Sequence, residues 1–312
     1  MKKYTLIIAL TAICTTAGFA QLNLPVAQYT NNQIIFNPGY AGVYDILAVN
    51  LSVRKTWVGI PGSPSLINLN GHAPFKNERH ALGFVYQRVQ MGPLIGNFGY
   101  LNYAHKINFR SSFLSLGVQA GFINSVIDWD QIDVVTHPDD IALRDGRTST
   151  TSFDLNLGAY YQAPMFYVGF SMKHLTHPKF HSIHDPISGD DWYDRQRIQT
   201  YLIAGVNIPV ADDWSLRPEM LLKYNRYEST SITIGAHAAY QNRFFIGAGV
   251  RTGQRAISLM AKGDLSEQFR IGYSYDIHYG RIGSFQRGSH EISVNYHIPV
   301  WKKERTVTLL WL

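Results

Sequence analysis

In Phe269-Arg270-Ile271-Gly272-Tyr273-Ser274-Tyr275-Asp276-Ile277 each large apolar side chain is separated from the next by one small or polar residue. Successive side chains of an extended chain point to opposite faces, so this stretch reads as a strand with one greasy and one wet face. The same alternation sets Leu47, Val49, Leu51 and Val53 against Ala48, Asn50, Ser52 and Arg54, and Ile292, Val294, Tyr296 and Ile298 against Glu291, Ser293, Asn295 and His297. It also sets Leu114, Leu116, Val118, Ala120 and Phe122 against Ser115, Gly117, Gln119 and Gly121. Carried along the chain, it predicts strands at 46–58, 64–74, 79–90, 96–109, 111–123, 152–163, 165–175, 198–209, 213–224, 229–240, 243–252, 255–264, 267–276 and 288–298. That is about fourteen, an even number, each near the roughly ten residues that cross a bilayer at a tilt.

Every second connection is short: Pro74 to His80, Phe109 to Ser111, Ala163 to Met165, Val210 to Asp213, Gln241 to Arg243 and Asp264 to Glu267. The intervening ones include Asn124 to Thr151, Thr176 to Arg197 and Ile277 to Arg287. Outer-membrane barrels keep short turns on the periplasmic side and longer loops outside, whereas a soluble β-sandwich has no reason to sort its loops by parity. The polar faces carry Arg54, Asp154, Lys173, Arg217, Glu219, Lys223, Arg270 and Glu291, which suit a wet lumen better than a dry core. Aromatic residues make up 13% of the chain, and those near strand ends, such as Trp57, Phe75, Tyr86, Tyr161, Trp214, Tyr224, Tyr240 and Tyr275, read as interfacial girdles. The expected fold is therefore all-β, a transmembrane antiparallel β-barrel of about 14 strands in a bacterial outer membrane. In this register Trp57 faces the lipid or its interface with Leu47, Val49, Leu51 and Val53, and an arginine at Val49 costs more than one at inward Asn50.

Ahead of the barrel, Lys2 and Lys3 precede the apolar run Leu6 to Ile13, and Gly18-Phe19-Ala20 leads into Gln21. This has the form of a signal peptide over residues 1–20, too short to span a bilayer as a helix. A lipid on Cys14 is disfavoured by the bulky Ile13 before it. Cys14 is the only cysteine, so the mature chain has no disulfide, thiolate metal site or cysteine nucleophile. The net charge of +6 includes Lys2 and Lys3, and what remains is too diffuse, with no basic run, for a nucleic-acid partner. The expected organisation is a signal peptide at 1–20, a periplasmic N-terminal lead at 21–45 that folds into or under the lumen, one barrel at 46–298 and a tail at 299–312.

Gln28-Tyr29, then Phe36-Asn37-Pro38-Gly39-Tyr40-Ala41-Gly42, then Arg54-Lys55-Thr56-Trp57-Val58-Gly59-Ile60-Pro61-Gly62-Ser63-Pro64-Ser65 resemble the N-terminal signature of the PorP/SprF family. The likeness continues through Met91-Gly92-Pro93, Gln131-Ile132-Asp133, His174-Leu175-Thr176-His177-Pro178 and Gly288 to Tyr296. Two departures are Gly39, where the family more often has Ala, and the tail from Pro299 to Leu312. The resemblance implies a barrel of the type IX secretion and gliding system that binds the secretion machinery and exported surface cargo through a C-terminal sorting domain, in contact with outer-membrane lipid. Read physically, Asn37-Pro38-Gly39 is a turn signal that sets the register of the first strand, and Pro61-Gly62-Ser63-Pro64 marks a tight outer turn. These residues either shape the first hairpin and the lead or touch a partner directly. The long loops add apolar and aromatic groups suited to recognition: Trp129, Ile132, Val134 and Val135 in one, and Phe180, Trp192, Tyr193 and Arg195 in the other. The candidate partner-binding residues are Asn37, Pro38, Gly42, Arg54, Trp57, Trp129, Phe180, Trp192 and Tyr193.

No catalytic, cofactor or metal residue is assigned. Gly169-Phe170-Ser171-Met172-Lys173 lacks the second glycine of a nucleophile elbow and lies within a strand. Gly247 to Gly253 has the wrong spacing for a dinucleotide loop. His177, His181 and His184 precede Asp185, Asp190, Asp191 and Asp194, but Pro178 and Pro186 break the helix that would align them. The rival function is a porin or channel for small solutes. Against it stand a strand number below that of general porins and a lead able to enter the lumen.

Overall fold

The computed structural model describes residues 26–131, 146–184, 191–227 and 229–300. The wall begins with β1 (Ile46–Lys55), β2 (Ser65–Pro74), β3 (His80–Met91), β4 (Leu94–Asn108), β5 (Phe113–Asp128), β6 (Arg147–Gln162) and β7 (Phe166–Lys173). A separate hairpin, β8 (Lys179–His184) with β9 (Asp191–Arg195), interrupts it. The wall resumes with β10 (Gln199–Val206), β11 (Ile208–Ala211), β12 (Trp214–Tyr224), β13 (Ser231–Tyr240), β14 (Phe244–Arg251), β15 (Ala256–Asp264), β16 (Phe269–His278) and β17 (Ser289–Pro299). Apart from β10 and β11, each wall strand pairs antiparallel with its sequence neighbour in the wall, β7 with β10, and β1 pairs with β17 from Ile46↔Pro299 to Lys55↔His290. The sheet thus closes on itself and has no free edge. Because β10 and β11 both pair with β12 and are parted only at Asn207, they form one wall strand, and the ring of described strands has fourteen.

The burial is inverted relative to a water-soluble protein. Leu51, Val53, Ile67, Leu101, Phe122, Ile234, Ile246, Leu259, Ile271 and Ile292 are exposed on the outer face, while Asn50, Ser52, Arg54, Asn68, Gln119, Asp154, Asp276 and Glu291 are buried inside. An apolar exterior over a polar interior is stable only where the surroundings are themselves apolar. All fourteen expected strands are present, with the expected faces.

Several expectations are corrected. β5 and β6 extend beyond the expected 123 and 152 to meet at Asp128↔Arg147. Asn124 hydrogen-bonds Ser149 and Thr151 across the pair, so polar cross-strand contacts continue the ladder where the apolar signal stops. Ile132, Val134 and Val135 lie outside the described residues, as do the leader and most of the tail. The segment 176–197, expected as a solvated loop, contains the β8–β9 hairpin. Trp57 is not on the lipid side: β1 ends at Lys55, and Trp57, with φ of +52°, turns its ring edge onto inner-face His278 at 6.2 Å. The lumen is not simply wet either, because the lead fills it.

Candidate functional site

Residues 26–45 fold inside the ring, and most of them are buried against its inner face. They form a 3-10 turn at Tyr29–Asn31, one helical turn, α1 (Gln33–Phe36), and a second 3-10 turn at Pro38–Tyr40. So short a set of turns has little stability of its own, so tertiary contacts hold its shape.

One end of the lead is held by charge. Glu291 accepts hydrogen bonds from the amides of Ala27 at 2.7 Å and Gln28 at 3.2 Å. The same carboxylate pairs with Arg54 at 3.3 Å; Arg54 also pairs with Asp276, and Asp276 with Arg251 at 3.2 Å. Two cations and two anions lie together with almost no solvent access. That is tolerable only because each is paired, so losing any one member leaves a buried charge exposed to its like.

The middle is held by a turn. Asn37 accepts from Gly39 N at 2.8 Å, and its Nδ2 donates to Ala159 O at 2.9 Å and Phe170 O at 3.3 Å on two wall strands. Wall glycines clear the track: a Cβ at Gly117 would lie 2.2 Å from the Pro38 carbonyl carbon, and one at Gly158 would lie 2.2 Å from Asn37 Oδ1. Gly42, at φ +68°, has no room for a side chain beside Ala81, and its amide donates to His72 Nδ1 at 3.2 Å. Tyr40 packs edge-on against His72 and Tyr160, with 5.4 Å between ring centroids in each pair.

Much of the wall's grip falls on main-chain atoms of the lead. Ser171 Oγ donates to Phe36 O at 2.6 Å and Lys173 Nζ to Ile35 O at 3.0 Å. Elsewhere Asn70 reaches Asn32 at 2.9 Å, and Lys262 reaches Asn31 at 2.8 Å from the far side of the ring. The lead therefore spans the lumen and bridges its walls. Beyond it, at the long-loop ends of β7, β12 and β14, a small pocket of about 70 Å³ is floored by Val26, Ile35 and Phe36 and edged by Lys173, Lys223 and Arg251.

The hairpin β8–β9 packs against the inner side of β5 and β6. Phe180, expected as a surface group for a partner, is fully buried and stacks on inner-face Phe98 at 6.4 Å. Just past β7, His174 Nδ1 meets Asp154 Oδ2 at 2.8 Å, and Tyr100 donates to the same oxygen at 2.8 Å. Burial holds the His174 imidazole below its usual range despite that carboxylate.

The candidate residues therefore fall into three places. Asn37, Pro38, Gly42 and Arg54 line or enter the lumen. Trp57 and Trp129 sit at the long-loop rim, where Trp129 Nε1 donates to Thr148 Oγ1 at 2.7 Å. Phe180, Trp192 and Tyr193 belong to the hairpin, and the side chains of Trp192 and Tyr193 lie outside the described residues. Glu291, Asp276, Arg251 and Ser171 hold the lead or its clamp without having been singled out for it. For the three charged ones the signal was charge of both signs at inward positions, and Ser171 gave none.

A family model described as "Type IX secretion system membrane protein PorP/SprF" matches residues 18–296. No curated protein matches the chain. Among solved structures, the Ralstonia pickettii toluene transporter TbuX is similar at 10% identity, with a TM-score of 0.53 over 85% of this chain and 92% of that one. The CymD monoaromatic hydrocarbon channel is similar at 13% identity, TM-score 0.51, over 91% and 94%. The P. putida toluene transporter TodX is similar at 10% identity, TM-score 0.52, over 88% and 95%. At these identities the likeness is one of fold, that of an outer-membrane barrel.

Proposed function

The chain belongs to the PorP/SprF family of type IX secretion system membrane proteins, and from that membership we propose that it binds exported surface proteins at the long-loop end of its barrel and helps to secrete or anchor them. The observation that supports this most is a lumen filled by the chain's own residues, since a filled barrel is suited to holding a partner at its mouth and poorly suited to free diffusion. In this reading the short turns face the periplasm and the long loops face outward. Trp129, the hairpin carrying Trp192 and Tyr193, and the pocket edged by Lys173, Lys223 and Arg251 are the surfaces offered to cargo.

The second reading, a channel for small solutes, is favoured by fold similarity to proteins titled as toluene transporters and a monoaromatic hydrocarbon channel. Two measurements separate the readings. Mass spectrometry of what co-purifies from native membranes identifies secretion components and exported cargo if the first is right. In planar bilayers the intact protein then stays closed, while a chain lacking residues 21–43 conducts. A large, steady, ohmic conductance from the intact chain would overturn the cargo reading in favour of the channel.

A further inference from the structure

The outer face of one sector of the wall carries cations and no acid. Between Asp45 and Glu78, and again between Glu78 and Asp128, the sequence contains no Asp or Glu, so β1 to β5 are free of carboxylates up to Asp128, where β5 ends. β16 and β17 contribute Asp276 and Glu291, and both are buried in the lumen clamp. The strand register places the outward residues of this sector in rows. Nearest the long loops, Tyr275, His290, Lys55, Ser65 and Gln90 lie side by side across five strands. One pleat lower, Tyr273, Ile292, Val53, Ile67 and Arg88 form the next row. Arg281 and exposed Arg287 stand above them in a connection without acids, and the Arg287 amide donates to Val58 O at 2.7 Å, tying that connection to the first hairpin.

The partners of these side chains are uncharged. Lys55 Nζ donates to Ser63 O at 2.7 Å, Arg88 to Asn97 Oδ1 at 3.2 Å, and His290 Nδ1 meets Tyr273 Oη at 2.7 Å, all neutral partners. Directly below lie the exposed apolar side chains of the lipid-facing band, among them Leu51, Ile271 and Val294. Tyr273, Tyr275 and Tyr86 mark the depth at which amphipathic rings favour headgroups. Basic clusters at that depth attract anionic headgroups.

We propose that the long-loop rim over β16, β17, β1, β2 and β3 is a binding site for the phosphate-bearing headgroup of an outer-leaflet glycolipid of the lipid A type, held by Lys55, Arg88, Arg287 and His290. The choice of the outer leaflet rests on the orientation proposed above. An epitope inserted between Gly92 and Pro93 and stained on intact cells reports that orientation independently of lipid binding.

The test is binding of bisphosphorylated lipid A to the purified barrel in detergent, followed by native mass spectrometry, with phosphatidylglycerol as competitor. The triple variant Lys55→Gln, Arg88→Gln, Arg287→Gln should bind lipid A about 100-fold more weakly while keeping its heat-modifiable migration. A second triple variant on the opposite rim, Lys76→Gln, Arg79→Gln, Arg110→Gln, should bind as the parent does. Equal affinity of the parent for phosphatidylglycerol, unchanged lipid A binding by the first variant, or an equal loss in the second would each overturn the site.

Discussion

Replacing Gly117 by valine tests whether the lead is what closes the lumen. A Cβ at Gly117 would lie 2.2 Å from the Pro38 carbonyl carbon and 2.3 Å from Gly39 N, where ordinary contact begins at 3.4 Å. Something must shift by more than 1 Å. The wall is laddered on both sides here, with Gly117 facing Ala104 and Gly158, so the lead should yield. Moving its turn breaks the two Asn37 bonds to Ala159 O and Phe170 O and the Ser171 bond to Phe36 O. At about 1 kcal/mol each, the loss is about 3 kcal/mol, or roughly a 100-fold rise in the open-to-closed ratio. Single-channel recording in planar bilayers reads this as frequent openings in Gly117→Val and rare ones in the parent. Gly99→Val is the control, because a Cβ there meets nothing within 4 Å. If Gly117→Val stayed as closed as Gly99→Val, the lead would not be the seal.

Leu51→Arg, at an exposed mid-strand position on the lipid face, should cost about 2–4 kcal/mol and reduce folded yield in a lipid refolding titration; undiminished yield would contradict the assigned faces. Inward Asn50 is no tolerant counterpart, contrary to the sequence expectation: it is buried and donates to Asn295 at 2.6 Å, so Asn50→Arg should also lower stability. Because the folded-state pKa of His174 lies below the unfolded value of about 6.5, its contribution is fully present above that pH and is lost as pH falls through it. The heat-modification temperature should therefore fall between pH 7.5 and pH 5, and more steeply in the parent than in His174→Gln; identical slopes would rule the residue out as a source. Replacing residues 180–195 by a Gly-Ser turn should leave heat-modifiability intact while releasing cargo to the medium, and normal surface display of cargo would move the binding surface elsewhere.

The wall was legible because period-two alternation repeats in every strand and each strand must show lipid an apolar face. Leu51 and Ile271 declare their side without reference to anything distant. The lumen is different. Asn37-Pro38-Gly39 announces a turn, but nothing local says that the turn docks on β6 and β7 more than a hundred residues later. Charges such as Arg54 and Glu291 mark the inner face, yet their partners are set by how fourteen strands close. Trp57 was misplaced because alternation was extended two residues past the strand end, into a left-handed position that the pattern cannot detect. Phe180 read as an exposed anchor because a hairpin that folds over a mouth has no lipid face to give it a period.

The contact between Glu291 and the amides of Ala27 and Gln28 joins residues 264 and 263 positions apart. β17 completes the ring against β1, and the same strand supplies the carboxylate that fixes the first described residues of the lead. Closure of the wall and anchoring of this end of the lead thus depend on the same strand. A chain stopped short of β17 leaves β1 unpaired and the amides of Ala27 and Gln28 without their carboxylate, so it presents both an open edge and loose backbone donors. A finished barrel presents neither.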